Sequence, residues 1–109
     1  MENSCSNGAV KHDGEAAQCR TIHLVVTGQV QGVYFRAWTK ELADALKLEG
    51  WVRNRRDGSV EMVISGRADA IGRMLELCRG GPPDAQVAKV EIIGEGRAAP
   101  SGFAILPTA

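Results

Sequence analysis

Residues 28–36 read G-Q-V-Q-G-V-Y-F-R, and this stretch separates two different hydrophobic periods. Before it, Ile22, Leu24 and Val26 fall at alternate positions, which is the period of a β-strand. After it, apolar residues recur at steps of three and four, which indicates an amphipathic helix with a core-facing stripe: Phe35, Trp38, Leu42 and Ala45. The stretch is therefore predicted to be a glycine-containing loop between a first strand and a first helix.

The next part of the chain predicts a hairpin. The first helix is predicted to end near Lys47 or Leu48, and a short second strand follows at 50–54. Asp57-Gly58 is a strong hairpin signal and should join this strand to an antiparallel third strand, which Ser65-Gly66 would end. The apolar residues of the third strand alternate: Val60, Met62 and Ile64.

The remaining segment supplies a second helix and two more strands. Gly80-Gly81-Pro82-Pro83 ends the helix, and the strands are predicted at 88–92 and 103–106. The order β-α-β-β-α-β, with a short extra strand, predicts an α+β ferredoxin-like fold: an antiparallel sheet with two helices on one face. Residues 1–20 lack periodicity and are predicted to be a flexible tail, which leaves one domain at 21–109. The apolar residues of the second helix are Ile71, Met74, Leu75 and Cys78.

The overall composition argues against several classes of protein. Lysine plus arginine (13) equals aspartate plus glutamate (13), so the chain has no general attraction to nucleic acid or anionic membranes. No apolar run reaches the length of a membrane span, and the N-terminus lacks the basic start and apolar core of a secretory signal. We therefore expect a cytoplasmic monomer without nucleic-acid or membrane partners.

The cysteines and histidines do not predict a metal site. The three cysteines are an odd number at wide spacings, which argues against a disulfide framework or a zinc site. Cys5 and Cys19 are interpreted as incidental thiols, and Cys78 as a small buried apolar residue. His12 and His23 have no cysteine at ligand spacing, so we expect no metal or other cofactor. His23 is also a weak candidate for a general base.

Residues 28–36 also form a candidate anion site. A helix N-terminus carries backbone N–H groups without intrahelical partners and the positive end of the helix dipole. Glycine lets the loop curl so that several N–H groups face one anion, and the guanidinium of Arg36 can bind two phosphate oxygens at once. The stretch is not a Walker A loop, because that loop needs Gly-Lys-Ser/Thr where this chain has Gly32-Val33. The alternative is an ordinary loop with a solvated Arg36.

A second candidate is G-W-V-R-N-R-R-D-G at residues 50–58. Asn54 carries a neutral amide that can donate to a phosphate oxygen and accept from a water molecule, although it could equally be a turn asparagine. The three arginines of this motif, together with Trp51, could suggest nucleic-acid binding. The zero net charge favours a solvated hairpin end instead.

The two motifs together, in this order and about one helix apart, resemble the acylphosphatase family. The resemblance extends from Thr21 to about Leu106 and includes the G-P-P after the second helix and V-A-K-V-E-I at 87–92. It implies that Arg36 binds the substrate phosphate and that Asn54 orients the attacking water. It also implies that five loop residues bind the phosphate, mainly through backbone amides: Gln31, Gly32, Val33, Tyr34 and Phe35.

The resemblance further implies metal-free hydrolysis of the carboxyl–phosphate bond of acyl phosphates, with inorganic phosphate or sulfate as ligands of the site. The chemistry is consistent, because the conjugate acid of a carboxylate leaving group has a pKa of about 4 and needs no general acid. One departure is Arg55, where some members carry a hydroxyl residue that supports the asparagine. The alternatives are a non-catalytic ferredoxin-like module that binds a phosphate-bearing ligand or RNA, and a domain of a larger carbamoyl-transfer system.

Overall fold

The computed structural model describes residues 19–95 and 101–109. Most of the predicted tail, with Cys5 and His12, lies outside these residues. The elements are β1 (Cys19–Gln29), α1 (Phe35–Ala45), β2 (Glu49–Asn54), β3 (Val60–Arg67), α2 (Ala68–Gly80), β4 (Gln86–Glu95) and β5 (Phe103–Ile105). Their order is the one that the hydrophobic periods predicted.

The strands form one five-stranded sheet in the order β4-β1-β3-β2-β5. β1 is antiparallel to β3 and β4, and β2 is antiparallel to β3. β5 adds a parallel pairing with β2 at the edge of the sheet. Both helices pack on one face, where apolar residues from sheet and helices form a single core. The predicted ferredoxin-like α+β fold is confirmed, with the correction that the sheet is mixed.

The core contains the residues that the patterns of β1 and β3 predicted and most of those predicted for α2. The predicted residues that are fully buried are Ile22, Leu24, Val26, Val60, Met62, Ile64, Ile71, Met74 and Cys78. Leu75 is only partly buried, and Ala88 and Ile92, predicted for the fourth strand, are exposed. The stripe of α1 is rotated from the prediction, because its buried residues are Phe35, Thr39 and Ala43 and Ala45 is exposed. Trp38 packs against the ring of Phe35 at the margin of this core, with ring centroids 5.2 Å apart.

α1 ends at Ala45, earlier than the predicted Lys47 or Leu48. Lys47 adopts a left-handed conformation with φ 61°, and the N–H of Leu48 donates to the carbonyl of Ala43 at 2.8 Å. This is the hydrogen bond of a Schellman motif, which stops the helix although Lys47 is not glycine.

β1, β2, β3 and β4 are all longer than predicted, β2 by one residue and β4 by extending over Gln86–Glu95. β1 begins at Cys19, two residues before Thr21, and β3 continues through Gly66 to Arg67. A Cβ at Gly66 would lie 2.5 Å from Cδ2 of Leu48. The glycine therefore makes room for a core side chain within the strand instead of ending the strand.

The register of β3 determines which loops meet at the edge of the sheet. Val60 pairs with Val26 of β1 on one side and with Asn54 of β2 on the other. Because β1 and β2 are both antiparallel to β3, they run in the same direction and end at the same edge. Residues paired directly across a sheet share a face, so Asn54 lies on the face of the buried Val26 and Val60, which the helices cover.

We expect Gly50→Ala to lower the free energy of unfolding by about 3 kcal/mol, from backbone strain and overpacking. Gly50 has φ +132°, and a Cβ there would lie 1.9 Å from the carbonyl oxygen of Val63. Gly72, in α2, is the matched control, because nothing lies within 4 Å of an added Cβ. Gly72→Ala should raise the free energy of unfolding by about 0.5–1 kcal/mol. Urea unfolding measures both, and a Gly50→Ala variant as stable as the parent would contradict this close approach.

Candidate functional site

The loop between β1 and α1 has an unusual backbone. Val30 and Phe35, at its two ends, are buried and hold it against the core. Gly32 and Tyr34, on either side of Val33, have φ values of 75° and 74°. The left-handed conformation costs a residue such as tyrosine about 1–2 kcal/mol. Such alternation of left-handed residues is typical of a nest, in which consecutive N–H groups form an anion-binding concavity.

α1 begins at the end of this loop with free backbone donors. No side chain caps the helix, and its first turn contains no acidic residue. The N–H of Trp38 donates to the carbonyl of Tyr34 at 2.9 Å. Among residues 19–95 and 101–109, no protein acceptor is found for the N–H groups of residues 33–37. These donors and the positive end of the helix dipole favour an anion at this point.

Arg36 lies in the first turn of α1 and is half-buried. Within the described part of the chain, its guanidinium forms no ion pair or hydrogen bond with the protein. A cation at a helix N-terminus opposes the helix dipole and is unfavourable by itself. An anion held between the loop and the guanidinium would offset this repulsion.

Asn54 is the last residue of β2, at the same edge of the sheet as the loop. Its backbone carbonyl accepts a hydrogen bond from the N–H of Ala109 at 3.0 Å. Its side-chain oxygen, Oδ1, is buried and has no protein donor among the described residues. A buried polar atom without a protein partner is uncommon, and Asn54 thus offers a hydrogen-bond acceptor near the loop.

The side chain of Gln31 joins the two motifs. Its Nε2 donates to the carbonyl of Arg55 at 2.7 Å and to the carbonyl of Ser59 at 2.8 Å. Both carbonyls belong to the turn between β2 and β3, which follows Asn54 directly. The side chain therefore contacts the turn, so Gln31 would contact a phosphate through its backbone. The sequence analysis did not predict this contact. The one indication of it in the sequence is a polar residue beside Gly32.

A separate polar cluster occupies the other face of the sheet. His23 Nε2 lies 2.6 Å from Glu61 Oε2, and Arg53 Nε lies 2.9 Å from Glu61 Oε1. Burial alone would raise the pKa of Glu61, but the hydrogen bonds from Arg53 and His23 outweigh it and hold this pKa below its usual value. His23 alternates with the buried Ile22 and Leu24, so it lies on the face opposite Asn54. The structure does not bring this weak base candidate to the site.

Arg53 is also occupied by an aromatic contact. Its guanidinium carbon lies 4.9 Å from the ring centroid of Trp51, which packs edge-on against His23 at 5.9 Å. Together with the ion pair to Glu61, this contact leaves Arg53 engaged within its own sheet.

The cysteines take two different roles. Burial raises the pKa of the Cys78 thiol to about 12, which makes it unreactive and confirms its assignment to the core. Cys19 is disulfide-bonded, which corrects its interpretation as an incidental thiol.

Residues 19–95 and 101–109 hold neither a candidate metal-ligand cluster nor a membrane-spanning helix. These residues contain no group of three or more histidine, cysteine, aspartate or glutamate side chains that could hold a metal ion. They also contain no helix that is long and apolar enough to cross a membrane.

Comparison with known proteins assigns the family. The family profile described as Acylphosphatase matches residues 22–105, a range that includes both motifs. An acylphosphatase from Azorhizobium caulinodans is 48% identical over 89 residues, which cover 81% of this chain and 96% of that protein.

Solved acylphosphatase structures are also similar. The Bacillus subtilis structure has a TM-score of 0.74 at 34% identity and covers 82% of this chain and 99% of its own. The Coxiella burnetii structure has a TM-score of 0.72 at 39% identity, with coverage of 81% and 93%. The chain belongs to the acylphosphatase family.

Proposed function

We propose that the loop at 31–35, Arg36 and Asn54 form the active site of this family member. The reaction is that of the family: an acyl phosphate and water give a carboxylate and inorganic phosphate. The observation that carries the proposal is that β1 and β2, both antiparallel to β3, end at the same edge of the sheet, with Val26, Val60 and Asn54 in one row across the three strands. The Gln31 hydrogen bonds to the neighbouring turn support the same placement.

The phosphate is bound by the loop and the start of α1. The unpaired N–H groups of residues 33–37 donate to its non-bridging oxygens, and the guanidinium of Arg36 binds two of them from the side. These donors are fixed by the fold before the substrate arrives, so they stabilise charge on the phosphoryl group without reorganising. No metal is required for this charge stabilisation.

The water is held by Asn54, whose Oδ1 has no protein donor among the described residues. The water oxygen attacks phosphorus in line with the bond to the acyl oxygen, and that bond breaks to release the carboxylate. An amide is not a base, so the proton of the water passes to a phosphoryl oxygen of the substrate. Asp57 is a weak base, because hydrogen bonds from the Oγ and N–H of Ser59 to its Oδ1, 2.6 and 2.9 Å long, hold the pKa of its carboxyl below the usual value.

The enzyme is favoured over a non-catalytic module, because its relatives of nearly the same length are acylphosphatases. The substrate is a small molecule, and inorganic phosphate or sulfate should bind the same site. We further propose that the protein acts as a monomer in the cytoplasm, without nucleic-acid or membrane partners.

We expect hydrolysis of benzoyl phosphate to proceed at the same rate with and without excess EDTA, because the phosphate is neutralised by N–H groups and Arg36. Loss of absorbance of the acyl phosphate measures the rate, and readdition of Mg²⁺ is the control. Loss of activity in EDTA with recovery in Mg²⁺ would contradict the metal-free reaction. Phosphate binding without turnover would instead support the non-catalytic module.

Arg36→Ala should lower kcat/KM by about 10³-fold or more, because it removes a charge-assisted contact to the transferring group. The inhibition constant of inorganic phosphate should rise in parallel. Arg79→Ala is the matched control, since it removes a positive charge from the exposed last turn of α2. Equal activity of the two variants would exclude a role of Arg36 in binding.

Asn54→Ala should lower kcat by about 10²-fold or more, because the water loses its orientation. The inhibition constant of inorganic phosphate should stay within about 2-fold of the parent, since the phosphate donors are untouched. Steady-state kinetics with phosphate as a competitive inhibitor separates the two effects. A parent-like kcat in this variant would exclude the water-positioning role.

A further inference from the structure

We propose that Gln31 is a positioning residue, whose side chain sets the distance between the bound phosphate and the attacking water. The inference rests on the proposed function and deepens it. Gln31 directly precedes Gly32 of the phosphate-binding loop, and Arg55 directly follows Asn54. The hydrogen bond from Gln31 Nε2 to the Arg55 carbonyl, 2.7 Å long, therefore joins the first residue of the loop to the residue that follows Asn54.

The amide group of Gln31 uses both of its hydrogens in this contact. The second goes to the Ser59 carbonyl at 2.8 Å, at the other end of the same turn. These carbonyls also accept bonds within the turn, from Gly58 N–H to Arg55 at 3.1 Å and from Arg55 N–H to Ser59 at 2.9 Å. Gln31 thus contacts both ends of the turn, which leaves the loop and the turn little freedom to slide past each other.

The turn has enough contacts of its own to stay folded without Gln31. The Asp57 carboxylate accepts two hydrogen bonds from Ser59. On the far side, Ala109 donates to the carbonyl of Asn54 and accepts from the N–H of Arg56, both at 3.0 Å. Removing the Gln31 donors should therefore loosen the junction between loop and turn without unfolding either.

Asn54 depends on its backbone for its orientation. Its Oδ1 has no donor in the described part of the chain, and Arg55 stands where some family members carry a supporting hydroxyl. The position of the amide is thus set by the backbone of residues 54 and 55, which Ala109 and Gln31 hold. In-line attack requires reacting atoms about 3–3.5 Å apart, and a misplacement of about 1 Å can cost 10²-fold in rate.

The test uses two variants of Gln31. Gln31→Met keeps the length of the side chain and removes both donors, and Gln31→Glu keeps its shape and has no donor when ionised. At pH 7 we expect kcat to fall by about 10- to 100-fold in both, with KM and the inhibition constant of phosphate changed by less than about 3-fold. Thermal melting checks that each variant is folded.

A pH profile distinguishes positioning from a general structural defect. A glutamic acid regains one donor when protonated, and two facing carbonyls raise its pKa above the usual value of about 4.3. The kcat of Gln31→Glu relative to the parent should therefore rise between pH 7 and pH 5, while that of Gln31→Met stays flat. If Gln31→Met fails to fold, the recovery of kcat in Gln31→Glu between pH 7 and pH 5 is sufficient to test the proposal.

The proposal is overturned by a parent-like kcat in either variant at pH 7, or by a loss of phosphate affinity with kcat unchanged. It is also overturned if Gln31→Glu shows no recovery at pH 5. Failure of the proposed function looks different, because Asn54→Ala would then remain active in a chain that keeps Gln31. The two hypotheses can therefore fail separately.

Discussion

The pairing of β3 with both β1 and β2 is the constraint on which the site depends. It makes β1 and β2 run in the same direction, so the loop after one and the turn after the other leave the sheet together. A slip of one residue between β2 and β3 would move Asn54 to the opposite face of the sheet. The full burial of Val52 in β2 opposes such a slip, because the slip would turn Val52 to the outer face and Trp51 and Arg53 toward the core. The hydrophobic core thereby fixes the placement of a polar group.

The polar groups on the two sides of the sheet differ in whether they have partners within the protein. On the open face, the Glu61 carboxylate is paired with the Arg53 guanidinium and also lies within hydrogen-bond distance of His23, so these groups have partners within the protein. At the helix-covered edge, Arg36 has no carboxylate partner within the described residues and the start of α1 has no cap. Satisfied charges stabilise a fold, whereas unsatisfied donors collected in one place favour a ligand. The candidate site is thus distinguished by a guanidinium and backbone donors that have no partner within the described part of the protein.

Much of this architecture could be predicted from the sequence, because alternation and helical spacing mark residues that the core must bury. The patterns of β1, β3 and α2 predicted the residues buried between sheet and helices, but not the burial of Val25 and Glu61 on the other face of the sheet. Gly66 was misread as a strand end, since only the packed structure shows that Leu48 needs its space. The Gln31 contact joins residues 24 and 28 positions apart and has no local signature. The roles of Arg36 and Asn54 follow from motifs and stay predictions.

The proposed phosphate site relies largely on main-chain groups, which changes what natural selection can act on. The side chain of Tyr34 is 59% exposed and its hydroxyl donates to Glu41, while its backbone adopts the left-handed conformation that shapes the loop. Glycine and asparagine adopt that conformation readily, whereas β-branched residues do so at high cost. The choice of residue at this position is therefore limited by the φ angle that the backbone must adopt rather than by a functional group. Side chains of very different chemistry can occupy it without loss of the proposed phosphate-binding loop.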